Sequence, residues 1–299
     1  MTEPAAGGSW PRIESPAGQS ELVSTRHATT SAFIVASTAS GAPHRRPDSL
    51  ATEEPMAIQV RGRKQEPVSV AVTMRTPGND FELAAGFLFS EGLIRERREV
   101  AGIRYCDVEP ELQHYNVVTV DLTVPFAADF AERHFFASSS CGICGKASLD
   151  QIEVDCRVMV GGPVVRRAAI LAMPEALRSA QRIFSETGGL HAAALFDSEG
   201  HLVESREDVG RHNAVDKLIG HAFLSGRALG QSVLLVSGRV SFEIVQKAAV
   251  AGIPITCAVS APSSLAVQAG ERFGMTIVGF LRGETFNLYS HPERVDLRA

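Results

Sequence analysis

The feature that most limits the fold of this chain is the rhythm of its last third. Val233-Leu234-Leu235-Val236 is a short, wholly apolar run, and an apolar-faced stretch from Phe242 to Ala251 follows it. Ile253 to Val259 repeats the first pattern, Ser263 to Arg272 the second, and Met275 to Phe280 the first again. Short apolar runs rich in β-branched residues, alternating with helical stretches, predict a βαβαβ unit on a parallel sheet. Open α/β sheets bind ligands beyond the carboxyl ends of their strands. The residues standing there are Ser237-Gly238-Arg239, Ser260-Ala261-Pro262-Ser263-Ser264 and Leu281-Arg282-Gly283-Glu284. Small and hydroxyl residues leave helix N-terminal N–H groups open to an anion, and the two arginines add forked donors. The edge reads as a site for a phosphorylated ligand. The competing reading is that tight βα turns require small residues whatever they bind.

The preceding chain is more mixed. Met56 to Arg61 and Val68 to Met74 read as strands joined by a reversal over residues 62–66. Thr76-Pro77-Gly78-Asn79-Asp80 is a turn able to cap a helix from Phe81 to Glu91, with Gly92 as its stop. Val100 to Tyr105 and Tyr115 to Val124 read as further strands, and Phe126 to Phe136 as a short helix. Pro174 to Glu186 carries helix signals: proline in the first turn and Gly188-Gly189 after the end. His191 to Phe196 reads as a buried strand and Asn213 to Phe223 as a helix. Residues 1–50, rich in Ser, Thr, Ala, Gly and Pro, are expected to be disordered or loosely attached. The expected fold is α/β: this extension, an α+β domain over 51–137, a cysteine loop at 138–146, and a larger α/β cofactor-binding domain over 147–299.

That loop, Ser138-Ser139-Ser140-Cys141-Gly142-Ile143-Cys144-Gly145-Lys146, holds two thiols among serines and glycines, the composition of an exposed segment. The thiolate is the reactive form of cysteine, and Lys146 together with the amides of Gly142 and Gly145 favours it. Half a zinc site, a disulfide shuttle and a persulfide carrier all fit a Cys-x-x-Cys. Zinc needs a second close ligand pair, yet Cys106, Cys156 and Cys257 stand alone, so no metal site is expected. A thioredoxin-like shuttle would place its pair near the chain start rather than mid-chain. The pair alone leaves redox exchange and sulfur carriage open.

Arg206-Glu207-Asp208-Val209-Gly210-Arg211-His212-Asn213 packs eight residues, nearly all polar, before a helix. Such a cluster favours a binding role, with His212 as a base or a ligand contact. A net charge of −5 gives no support to nucleic-acid binding. Five cysteines in 299 residues are too few for a disulfide scaffold. With no apolar run near 18 residues and no signal-peptide pattern, the expectation is a soluble, cytoplasmic chain without membrane contact.

Taken together, several motifs resemble the formate dehydrogenase accessory sulfurtransferases, the FdhD family. They are Arg75-Thr76-Pro77-Gly78, the run Gly86 to Gly92, Ser139 to Gly145, and Thr187-Gly188-Gly189-Leu190-His191. Glu207 to Lys217, Ser237-Gly238-Arg239, Ser260-Ala261-Pro262-Ser263, Gly279-Phe280 and Asn287-Leu288-Tyr289 complete the set, in order from about Glu53 onward. The resemblance implies a sulfurtransferase that takes persulfide sulfur from a cysteine desulfurase. It would pass that sulfur to the bis(molybdopterin guanine dinucleotide) form of the molybdenum cofactor, a bound substrate rather than a permanent cofactor, for insertion into formate dehydrogenase. It implies that Cys141 holds the persulfide, that Cys144 assists, and that Phe280, Leu281, Arg282, Gly283, Glu284 and Thr285 contact the cofactor. It also implies a homodimer and a cytidine deaminase-like C-terminal domain. Ser237, Gly238, Arg239, Ser260, Ser263 and His212 join the expected cofactor contacts from the strand-edge and cluster readings. A cofactor-binding chaperone without sulfur transfer and a disulfide oxidoreductase are the alternatives.

Overall fold

The computed structural model describes residues 27–39, 41–106, 115–127, 156 and 158–298. Cys141, Cys144 and the rest of the cysteine loop lie outside them, as does most of the helix expected over 126–136.

Strands β1 (Thr29–Thr38) and β2 (Gly41–Ala51) pair antiparallel as a separate ribbon. Residues 29–50 were expected to be disordered or loosely attached; they instead carry regular strand pairing over most of their length. The alternation of Ala32, Ile34 and Ala36 against exposed Phe33 and Val35 supplies the period of two that a strand needs.

Next come β3 (Glu54–Arg61), β4 (Val68–Arg75), α1 (Asp80–Ser90), β5 (Val100–Tyr105) and β6 (Val117–Leu122). The four strands form one sheet in the order β4-β3-β6-β5, with β3 and β6 parallel and the outer pairs antiparallel. Met56, Ile58 and Val60 on β3 and Val118, Val120 and Leu122 on β6 project to one face. There they bury Leu83, Ala84 and Leu88 of α1.

Beyond the cysteine loop lie β7 (Val165–Arg166), α2 (Arg167–Ala180), α3 (Arg182–Thr187), β8 (His191–Phe196), β9 (Leu202–Asp208) and α4 (Arg211–Ser225). They are followed by β10 (Val233–Val236), α5 (Phe242–Val250), β11 (Ile255–Ala258), α6 (Ser264–Phe273), β12 (Thr276–Arg282), β13 (Thr285–Ser290) and β14 (Val295–Asp296). A six-stranded sheet runs β13-β12-β11-β10-β8-β9. Its centre, β10, β11 and β12, is parallel as the βαβαβ rhythm requires, while β8, β9 and β13 are antiparallel additions. Alternation along β8 divides its two faces. Ala193 and Leu195 meet α4, α5 and α6, whereas Ala192, Ala194 and Phe196 meet Ile170, Met173 and Leu177 of α2.

Helix α4 is buried nearly all round, because the large sheet covers one side and α1 the other. It is the layer at which the two sheet units join.

One helix expectation shifts. The segment read as one helix from Pro174 to Glu186 is two: α2 starts seven residues earlier, with Pro174 in its interior, and Gln181 separates it from α3. Ile170 and Met173 are buried against the sheet, and this apolar stripe carries the helix through the proline.

Candidate functional site

The carboxyl ends of β10 and β11, the start of β8 and the end of β9 share one edge, since His191 pairs with Asp208 and Ala193 with Val236. Helices α4, α5 and α6 all begin at this edge, so three positive dipole ends converge there.

Ser237 is tied down on both sides: its amide donates to the Ala192 carbonyl at 2.9 Å and its hydroxyl accepts from the Ala192 amide at 2.9 Å. Gly238 follows, its Cβ position 3.4 Å from Nδ1 of His191 and 3.7 Å from Cδ of Arg211. Arg239 is exposed and makes no ion pair among the described residues. The loops after β10 and β11 are stitched by the Ser263 amide donating to the Val240 carbonyl at 2.9 Å. The Ser260 carbonyl accepts from the Phe280 amide at 3.0 Å, which draws the β12–β13 turn in beside them. Phe280 has φ of 53°, a left-handed conformation that is costly for an aromatic residue, at an irregularity in the β12–β13 register. The Arg282 guanidinium lies 5.6 Å from the Phe280 ring centre, and Gly283, Glu284 and Thr285 form the exposed tip.

Two expected contacts take other work. Leu281 is fully buried in the sheet core, so its side chain faces away from any ligand and only its backbone borders the edge. The Ser263 hydroxyl accepts from the Ala266 amide at 3.2 Å as the N-cap of α6.

The polar cluster before α4 divides sharply. Asp208, fully buried, accepts from the Thr76 amide at 3.1 Å, the Gly210 amide at 2.8 Å and Nδ2 of Asn213 at 2.9 Å, and pairs with Lys217 Nζ at 2.7 Å. Asn213 Nδ2 also donates to the Met74 carbonyl at 2.7 Å. Glu207 accepts from the Ile183 and Phe184 amides and holds the start of α3. Arg206 pairs with Glu82 and Glu204. The cluster expected to bind a ligand is therefore largely the joint between the two units, and only Arg211 and His212 remain for a ligand. His212 Nε2 lies 3.2 Å from the Ser241 hydroxyl and 3.7 Å from Glu243. Burial, then the Lys247 and Arg211 cations, lower its pKa to about 4, so it is neutral at neutral pH.

A cavity of about 540 Å³ opens at the same edge, on the α2 face. Pro174, Leu177, Arg178 and Gln181 form one wall and Phe184 another, while His191, Ser237 and Val259 line the strand end. This volume lies within the range of about 300–1,000 Å³ common to small-molecule and cofactor sites. Burial and the Arg211 cation hold His191 below its ordinary pKa, with Asp208 partly opposing them. The sequence reading took Ser237 into the site but missed the helical wall and His191. The available signal was Thr187 to His191, noted only as a motif. Among the described residues no group of three His, Cys, Asp or Glu side chains is placed to hold a metal. Cys257 is buried, which pushes its thiol up and leaves it inert.

A cavity at the carboxyl edge of a mixed sheet, walled by α2 and α3, with the N-termini of α4, α5 and α6 at the same edge, defines an α/β protein with a candidate ligand site there. Comparison with known proteins is specific: the FdhD/NarQ family matches residues 51–296, and the chain belongs to that family. It is 52% identical over 267 residues to the sulfur carrier protein FdhD of Streptomyces avermitilis, covering 87% of this chain and 93% of that one. With the sulfur carrier protein FdhD of Mycobacterium tuberculosis it shares 50% over 261 residues, 84% of this chain and 92% of that one. The crystal structure of a protein from Desulfotalea psychrophila, described as a formate dehydrogenase accessory protein, superposes with a TM-score of 0.71 at 27% identity. That match covers 90% of this chain and all of the other. Among the described residues no helix is long and apolar enough to cross a membrane.

Proposed function

We propose that this chain is a sulfur carrier for formate dehydrogenase maturation. Its family membership and its resemblance over most of its length to proteins named sulfur carriers support this reading. In the finer account, the Cys141 thiolate attacks the terminal sulfur of a persulfide on a cysteine desulfurase. A sulfur–sulfur bond forms on Cys141, and the desulfurase cysteine leaves as a thiolate. Cys144 then attacks the inner sulfur, a Cys141–Cys144 disulfide forms, and hydrosulfide is expelled toward the acceptor. The two thiols supply the electron pair that the sulfane sulfur needs.

The acceptor in this account is the molybdenum bis(molybdopterin guanine dinucleotide), held at the strand edge as a substrate. The observation carrying this part is the cavity beside Ser237 and His191 at the edge where Arg239 and Arg282 stand exposed in the loops after β10 and β12. His212, neutral and half-buried, would serve there as a hydrogen-bonding contact. The reading includes a cytoplasmic homodimer and a division into 51–137, the loop 138–146, and a cytidine deaminase-like 147–299.

The test is intact-mass analysis after incubation with a cysteine desulfurase and cysteine. A gain of one sulfur atom that disappears in Cys141→Ser is expected. Undiminished uptake on the same loop in that variant removes Cys141 as the carrier.

A further inference from the structure

The ribbon of β1 and β2 meets the rest of the chain chiefly at its base. There β2 lies against α3, and a Cβ on Gly189 would stand 3.3 Å from that of Ala51. Beyond the base it stands in solvent: none of the described residues of either strand is buried. A two-stranded ribbon is at best marginally stable in water unless an apolar face packs on another layer. This ribbon has such a face. Phe33 and Val35 are 76% and 64% exposed, and Pro47 stands across the ribbon from Phe33.

The four-stranded sheet lacks a cover in the complementary way. Helix α1 packs on one of its faces, against Met56, Ile58 and Val60. On the other face Val72 is 60% and Met74 40% exposed, paired with Ala57 and Pro55 of β3. β4 is an edge strand, and Val68 to Met74 holds no charged residue. Open edge strands ordinarily carry charge or proline that keeps other strands away. Two sheets with apolar faces pack one upon the other. Within one chain both of these faces stay open, so the layer they can build together joins two chains.

A second copy of this chain suits the size and the charge. Ten residues at about 3.3 Å each make β1 about 33 Å long, and two strands are about 10 Å across, so the face covers about 330 Å². Counted on arm and seat, and made twice by a two-fold pair, the contact takes about 1,300 Å² out of water, above the roughly 1,200 Å² where specific interfaces begin. The ribbon holds two arginines and one aspartate in a chain of net charge −5, so the acidic remainder of another copy attracts it.

We infer that the ribbon is an exchanged arm: Phe33 and Val35 of each copy lie on the open face at Val72 and Met74 of the other. The inference rests on the homodimer within the proposed function and adds which surfaces form it.

Sedimentation of the full chain tests it, with Phe33→Thr plus Val35→Thr as the arm variant and Val72→Thr plus Met74→Thr as the seat variant. Threonine keeps strand propensity and the four positions are exposed, so each chain is expected to keep its fold. The wild type is expected to sediment as a dimer, and each variant to show a dissociation constant raised at least about 100-fold. A mixture of the two variants rebuilds one of the two contacts, from the intact arm of one chain and the intact seat of the other. That mixture is expected to associate about tenfold more tightly than either variant alone, which misfolded chains would not do. A variant that keeps the wild-type affinity, or a mixture no tighter than its components, overturns the arm and leaves the homodimer standing. A monomeric wild type overturns both. Sulfur uptake on Cys141, followed by mass in the same samples, tests the carrier reading separately.

Discussion

Gly86 and Gly220 face each other where α1 crosses α4, and neither position has room for a methyl group. A Cβ on Gly86 would lie 1.8 Å from the Asp216 carbonyl oxygen, and one on Gly220 would lie 1.9 Å from that of Glu82. The helices thus meet backbone to backbone, and what would yield to a side chain is helix rather than a flexible tip. The two sheet units are clamped at this crossing. Gly86→Ala or Gly220→Ala is expected to lower stability by about 2–4 kcal/mol, at or above the usual range for overfilled cores. Gly102→Ala, with no atom within 4 Å of its Cβ position, is expected to change it by under about 1 kcal/mol. Urea denaturation of the three variants makes the comparison.

Beside this crossing, Asp208 and Lys217 form a buried pair at 2.7 Å, with Lys217 also donating to the Thr76 carbonyl at 2.9 Å. Removing one member of a buried pair leaves the other charge without compensation, at a cost of about 3–5 kcal/mol. Asp208→Asn preserves the shape and the bond to Asn213 but strands the ammonium, so a loss in that range is expected. The double variant Asp208→Asn with Lys217→Met is expected to recover part of it. A double variant no more stable than Asp208→Asn alone would show that the ammonium is not the source of the loss.

The sequence made the parallel centre of the large sheet legible because each strand there is buried on both faces and wholly apolar. Val233–Val236 matched without adjustment. Strand β9 was not legible: Glu204, Arg206 and Asp208 fill an edge position, where a strand needs no apolar run, and their charges are satisfied by Glu82, His221 and Lys217 from elsewhere in the chain. The same long-range pairing hid the role of the polar cluster. Nothing local to Asp208 or Asn213 says that their partners are Thr76 and Met74, over 130 positions away. The strand-edge loops were found because small residues at βα turns are a local signal.

His212 makes a pH prediction. Its pKa is held to about 4 by burial, then by Lys247 and Arg211, against an ordinary value of 6.5. The unfolded chain therefore binds more protons at this residue between those two values, and folding stability falls as pH drops through that window. His191, also held low by burial and by Arg211, acts in the same direction. Chemical denaturation from pH 7 to pH 4 is expected to show a shallower fall for His212→Gln than for the wild type. Parallel curves would mean that His212 is free to protonate in the folded chain.

Arg239 and Arg282 stand exposed beside the converging helix N-termini, and the Phe280 ring steadies the second of them. Charge-assisted bonds to phosphate contribute about 1.5–3 kcal/mol when well formed, and exposure to solvent moves these two toward the lower end. Changing either to Ala is expected to weaken guanosine diphosphate binding by about tenfold at low salt, an effect of roughly 1.4 kcal/mol. The difference from the wild type is expected to shrink in about 0.5 M salt, where exposed charges are screened within a few ångströms. Sulfur uptake on Cys141 should be unaffected, because the arginines act on the acceptor and not on the donor. Titrations at two salt concentrations, run beside the mass assay, separate these outcomes. Equal affinity in wild type and both variants would locate the phosphate groups away from this edge.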